Sequence, residues 1–152
     1  MDTLKLLNLT VKQVMTTEVI TVLENDTIDA VDEIIHSHLI HHVPVVDKEG
    51  KFKGILSKSD LDLMKQWAMK FGNNNAILAN EKIMESLLAK DCMTKRVVTI
   101  GPDETLESCA DVFKENLFHA MPVVVNGKLI GIITTYDLLA LAYTKQPQIE
   151  LT

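Results

Sequence analysis

The chain has 152 residues, 47% hydrophobic and 24% charged, with a formal net charge of −6. That apolar share can bury a sizeable core and argues against a disordered chain. The acidic balance argues against a general nucleic-acid binder, which needs a basic face to displace counterions.

The first residues, MDTLKLLNLTVKQVM, carry Asp2, Lys5 and Asn8 among apolar positions. They lack the unbroken apolar core of a signal peptide and are expected to form a helix over residues 3–14. No apolar run approaches the ~20 residues of a membrane span, so a cytoplasmic protein without a membrane partner is expected. A short strand follows at Val19–Val22. Asp26 or Thr27 is placed to cap the next helix. Ile28, Val31, Ile34, Ile35 and Leu39 recur at helical spacing and make its apolar stripe. HVPVVD then reads as a buried strand, KEGK as a hairpin turn and FKGILS as the partner strand. A further helix starts near Ser59 or Asp60. It breaks at FGNNN (Phe71–Asn75), the best candidate loop or hinge, and resumes through Ile77–Ala89.

The same order then returns. Met15-Thr16 recurs as Met93-Thr94, an offset of 93 − 15 = 78. At that offset Thr21, Leu39, His41, Pro44 and Val45 meet Thr99, Leu117, His119, Pro122 and Val123. One residue is lost in the second hairpin turn, where Asn126-Gly127 signals a tight turn with positive φ. Beyond it, at an offset of 131 − 54 = 77, Gly54, Ile55, Asp60 and Leu61 meet Gly131, Ile132, Asp137 and Leu138. A deletion confined to a turn is what a true repeat tolerates. Each unit is β-α-β-β-α and the fold class is α+β. Neither unit is large enough to hide its apolar stripe alone, so the two sheets are expected to pack around a pseudo-twofold axis. The two cysteines, Cys92 and Cys109, have no Cys-x-x-Cys spacing and read as buried or idle thiols of a reducing compartment.

VMTTEVITV and CMTKRVVTI, DTIDAVDEI and DETLESCADVF, HHVPVVD and HAMPVVV, and the endings GILSKSDL and GIITTYDL together resemble a tandem pair of CBS (cystathionine-β-synthase-type) domains, a Bateman module. The resemblance divides the chain into an N-terminal helix or tail (1–13), repeat 1 (14–70), a linker loop and helix (71–91), repeat 2 (92–143) and a C-terminal tail (144–152). It implies a regulatory fold that binds adenosine compounds in clefts between the repeats: AMP, ADP, ATP or S-adenosylmethionine. It also implies pairing into homodimers. With no further domain in the sequence, any effector is expected to be a separate protein or absent.

The residues give that resemblance a chemistry. Asp60 and Asp137 follow a strand and open a helix, where a carboxylate can accept two hydrogen bonds from ribose hydroxyls. Ser57, Ser59 and Thr134 place hydroxyls beside the free N–H groups of a helix N-terminus, a natural anion site. Gly54 and Gly131 permit close approach of a ligand or of another backbone. A plain helix cap accounts equally well for Ser57, Asp60, Thr134 and Asp137. The resemblance places His41 and His119 beside a ligand's phosphates, with His42 matched by Ala120, Lys58 by Thr135, and Ser59 by the bulkier Tyr136. The first site is therefore expected to be better equipped for charge. Ile20, Thr21, Val22, Val98, Thr99 and Ile100 are candidate adenine walls, completed by Val43, Pro44, Met121 and Pro122. Core packing is the competing reading for each.

His36 and His38 suit a helix C-terminus, where the dipole favours a partly cationic ring. No metal-ligand spacing, nucleophile–base pair or P-loop is present, so no metal and no catalysis are expected. Met64, Trp67, Met69 and Phe71 read as packing or a dimer face. The alternative function is a ligand-independent dimerisation module, which the differences in the second unit favour.

Overall fold

A computed structural model describes residues 5–6, 8–71 and 76–144. Their backbone forms two compact units. One is continuous, Ile20–Val97, and the other joins the residues up to Val19 with those from Val98 onward.

The continuous unit runs β1 (Val22–Leu23), α1 (Ile28–Ser37), β2 (His42–Val46), β3 (Phe52–Ser57), α2 (Lys58–Phe71), α3 (Ala76–Ser86) and α4 (Ala89–Cys92). Its sheet has the order β1-β2-β3, with β1 parallel and β3 antiparallel to β2. The discontinuous unit holds a 3-10 turn at Val11–Gln13, α5 (Leu106–Asn116), β4 (Ala120–Val125), β5 (Lys128–Thr134) and α6 (Thr135–Thr144). Its strands pair antiparallel, and Ile100 adds a parallel bridge to Val123. The continuous unit opens with the β-α-β-β-α order of one repeat, and the other keeps that order with a single bridge at Ile100 in place of the first strand.

Each has its own core. On α1, the spacing of Ile28, Val31 and Ile35 puts all three on one face, and they bury against Val22, Val43, Val45, Leu56 and Leu61. The second core gathers Val11, Ile100, Leu106, Cys109, Phe113, Met121, Val123 and Ile133. Fully burying one such side chain is worth about 1.5–3 kcal/mol. The hairpin turns follow their sequence, with Asn126 at φ 50° and Gly127 at φ 80°.

Several expectations need correction. Leu39 does not belong to the buried stripe. Helix α1 stops at Ser37, Leu39 takes the left-handed φ of 53°, and the Ile40 N–H donates to the Ile35 carbonyl, closing the helix end. Leu117 does the same at φ 55° after α5. Reversing the chain there leaves these leucines 87% and 81% exposed. The first strand is only Val22–Leu23, because within the expected Val19–Val22 only Val22 reaches β2; the matching residue of the second unit, Ile100, makes a single bridge to Val123. Thr27 caps α1 by position without a side-chain bond, and the Asp26 carboxylate instead accepts the Leu23 N–H at 2.7 Å.

The expected helix over 3–14 is interrupted, with Thr10 bridging to Thr105 before the 3-10 turn. The expected helix over 77–89 breaks at Leu87–Leu88. There the Leu87 carbonyl accepts the Ile28 N–H (2.9 Å) and the Ala89 N–H donates to Asp26 (2.8 Å), so tertiary pairing takes the groups that would continue the helix. Residues 72–75 of the proposed FGNNN break, the first four residues of the N-terminal segment and residues 145–152 of the tail lie outside the described residues.

Candidate ligand-binding site

The antiparallel register brings the separated motifs together. His42 lies opposite Ser57 at the end of the β2–β3 ladder, where α2 begins, and Ala120 lies opposite Thr134, where α6 begins. The link is then locked in the same way twice. The Lys58 N–H donates to the His41 carbonyl (2.8 Å) and the Thr135 N–H to the His119 carbonyl (2.9 Å). His41, His42, Ser57, Lys58, Ser59 and Asp60 therefore share one end of the sheet in the continuous unit. His119, Thr134 and Asp137 share the corresponding end in the other. Thr21 and Thr99 stand just before Val22 and Ile100, the residues that pair with the central strands, and so lie toward the same end.

Within each motif the Ser/Thr–Asp pair caps the helix reciprocally. The Ser57 N–H donates to Asp60 Oδ2 (3.2 Å), and the Asp60 N–H donates to Ser57 Oγ (3.1 Å). In the second motif the Thr134 N–H (2.8 Å) and its hydroxyl (3.0 Å) both donate to Asp137 Oδ2, while the Asp137 N–H donates to Thr134 Oγ1 (3.3 Å). The two carboxylates are not equivalent. Asp137 is half-buried and receives two donors from Thr134. Asp60 is exposed and receives one, since the Ser57 hydroxyl pairs with Ser59 Oγ at 3.0 Å. A carboxylate with fewer internal donors has more acceptor capacity left for a ligand's hydroxyls. Tyr136, where the first motif has Ser59, is 74% exposed.

Several candidates are buried. Val43 and Met121 are fully buried in the two cores, and Val22 and Ile100 join them. Pro44 and Pro122 are also buried. Val43–Val46 and Ala120–Val123 are buried in succession, and since side chains alternate across a strand, both faces of β2 and β4 are covered. Ile20 and Thr21 are half-buried, and Val98 and Thr99 exposed. Met64 packs against the core, whereas Trp67 and Met69 stand exposed.

The glycines answer to backbone. A Cβ on Gly54 would lie 2.7 Å from the Thr94 carbonyl oxygen and 2.7 Å from Met93 Sδ. One on Gly131 would lie 3.0 Å from the Thr16 carbonyl and 2.5 Å from Met15 Sδ. The Met-Thr segment that leads repeat 2 thus docks on the hairpin of repeat 1, with Ile55 and Thr94 exchanging both N–H···O bonds (3.0 and 2.9 Å). The segment that leads repeat 1 docks on the hairpin of repeat 2, where Thr16 and Ile132 exchange theirs (2.9 and 3.0 Å). Of the two approaches the sequence allowed these glycines, ligand or backbone, the structure shows the backbone one. Its signal was the joint repetition of Met-Thr and Gly at nearly one offset.

His36 and His38 each set Nδ1 on a carbonyl of α1, Asp32 (2.8 Å) and Ile34 (3.0 Å). Among the described residues no group of three His, Cys, Asp or Glu gathers around a metal position. None of the described helices is long and apolar enough to cross a membrane. A depression lined by Asp29, Asp32, Lys65, Glu81, Met84 and Glu85 is acidic and ill-suited to a phosphate. Burial, helped by Glu104 and Asp137, pushes the Cys109 thiol up to about 12.

The CBS domain family model matches residues 11–62 and 89–143, and the chain belongs to that family. It is 35% identical over 127 residues to a homoserine O-acetyltransferase of Methanosalsum zhilinae, covering 83% of this chain but 22% of that protein's length. Among solved structures, the CBS domain pair of protein MJ0100 in complex with 5′-methylthioadenosine and S-adenosyl-L-methionine is 27% identical. It covers 91% of this chain and 98% of that one, with a TM-score of 0.71. CBSX2 in complex with AMP is 25% identical, covers 89% and 96%, and has a TM-score of 0.73.

Proposed function

We propose that this chain is a non-catalytic regulatory module that binds an adenosine-containing compound of the AMP, ADP or ATP class. The main contacts come from the sheet end that joins His41, His42, Ser57, Lys58, Ser59 and Asp60. The observation that carries the reading is the exposed Asp60 carboxylate at a helix N-terminus, with spare acceptor capacity beside two hydroxyls, two histidines and a lysine. That set offers a ribose acceptor next to an anion cradle. Two relatives of the same fold are complexes with adenosine compounds, which supports the ligand class. Asp137 is the poorer ribose acceptor, because Thr134 already supplies it with two donors. The charge-rich ligand therefore belongs with the first motif. Substituting both His41 and His42 by Ala weakens binding more than His119→Ala.

A regulatory role further requires that the ligand bind two conformations unequally. Leu63, Trp67 and Met69, each more than half exposed on α2, support pairing with a second copy of the chain. That pairing is also the core of the alternative, a dimerisation module indifferent to ligands.

The test is thermal unfolding of nucleotide-stripped protein with AMP, ADP, ATP, GTP, S-adenosylmethionine or NADH. A ligand at 100 times its Kd stabilises by about 2.7 kcal/mol, a shift of roughly 5–10 °C for a chain this size. A shift with an adenosine compound that disappears in Asp60→Ala is the expected result. The absence of any shift leaves the dimerisation module.

A further inference from the structure

We infer that Asp62 is a specificity-determining residue of the Asp60 site, because it competes with a ligand's phosphates for Lys58. The inference rests on the nucleotide reading above. Lys58 is the first residue of α2, and the bond from its N–H to the His41 carbonyl (2.8 Å) fixes its backbone beside His41. Its ammonium is drawn one turn down the helix, with Nζ 3.6 Å from Asp62 Oδ2.

Helix energetics do not explain this pair. The positive end of the helix dipole disfavours a cation in the first turn. Lysine preceding an acidic residue at i,i+4 is also the weaker order. The second repeat makes the comparison directly. At the offset of 77 the matching positions are 58 + 77 = 135 and 62 + 77 = 139, occupied by Thr135 and Leu139. Both charges are present at one site and both absent at the other, although the same backbone lock precedes each helix.

Lys58 is thus a cation placed beside the hydroxyls of Ser57 and Ser59 but held off them by a neighbour. Both side chains are about two-fifths exposed, so the pair is weak enough to open. A ligand with several phosphate charges competes for the ammonium with Asp62, whereas an uncharged ligand leaves it parked. Asp62 therefore lowers the affinity for charged ligands and leaves that for the uncharged nucleoside alone.

The experiment is calorimetric titration of the full chain with ATP and with adenosine, at one ionic strength, for the wild type, Asp62→Asn, Lys58→Thr and the double variant. Asp62→Asn is expected to tighten ATP about threefold, the scale of an exposed ion pair, and to leave adenosine unchanged. In the Lys58→Thr background most of that gain disappears. An unchanged or weaker ATP affinity in Asp62→Asn overturns the inference, as does an equal gain with and without Lys58. Either result leaves the nucleotide reading standing if Asp60→Ala still abolishes ATP binding. No binding of ATP or adenosine by any variant overturns both.

Discussion

Replacing Gly54 by Ala tests the docking of the Met-Thr segment. The new methyl group would sit 2.7 Å from the Thr94 carbonyl oxygen, 2.7 Å from Met93 Sδ and 2.8 Å from Met93 Cγ. The methionine chain can swing aside, since thioethers adapt readily. The carbonyl cannot move freely, because Thr94 is tied to Ile55 by two hydrogen bonds. Overpacking of this kind costs about 1–3 kcal/mol, and weakening the two bonds adds about 1 kcal/mol. The expected loss is about 3 kcal/mol, or roughly 10 °C in Tm for a chain of this size. At Gly131 the carbonyl of Thr16 is farther, at 3.0 Å, and the closest clash, 2.5 Å, is with the flexible Met15 sulfur. Gly131→Ala is therefore expected to cost about half as much. The Met15→Ala, Gly131→Ala pair should cost less than the sum of its single changes. Urea and thermal unfolding of the four variants measure this. A Gly54→Ala protein within ~0.5 kcal/mol of wild type, or a costlier Gly131→Ala, refutes the assignment of these glycines to segment docking.

Two further outcomes follow from local geometry. Leu39→Gly and Leu117→Gly each remove a bulky, exposed side chain from a left-handed backbone position. Each should raise stability by about 0.5–1 kcal/mol, seen as a higher Tm, and a drop would show that these leucines hold hidden contacts. Cys109, with its thiol pushed up to about 12 by burial from an ordinary 9.0, should resist a thiol reagent at mildly alkaline pH. The half-buried Cys92, also raised but less enclosed, should react first, and equal native rates would contradict the burial. The unfolded thiol ionises from about pH 9 while the folded one stays protonated. The Cys109 contribution to stability is therefore full below that value and falls as pH rises toward 12.

The repeat was legible because its register survives a one-residue deletion, and Asn126-Gly127 and the valine-rich strands carry local signals strong enough to be read alone. Leu39 misled because its spacing continues the apolar stripe, yet the turn into the next strand comes one residue too soon. Helical propensity over 77–89 lost to backbone pairing with Asp26 and Ile28, which no local window contains. The Ser57–Asp60 and Thr134–Asp137 boxes were visible as cap or ligand site. Their inequality was not, because it depends on whether a hydroxyl turns to its carboxylate or to a neighbouring serine. The Lys58–Asp62 pair sits in plain sight at i,i+4, but it gains meaning only beside the His41 carbonyl.

The exchange of Met-Thr segments also sets an order of events during synthesis. Among the described residues, the strand pairings of the unit Ile20–Val97 are in hand once Val97 has left the ribosome, including Thr94 on Ile55. The other unit cannot close then. Its Thr16 is made early, but the Ile132 it pairs with comes 132 − 16 = 116 residues later. Thr16, made before the whole of the continuous unit, is therefore paired only after that unit is complete. A loop this long costs only a little more entropy than one half its length, but such distant pairing slows folding. Until β5 emerges, Val11, a residue with no exposed surface in the finished protein, lacks its core companion Ile133. Translation speed and chaperone access in that interval thus bear on the yield of folded protein, with no change in its final stability.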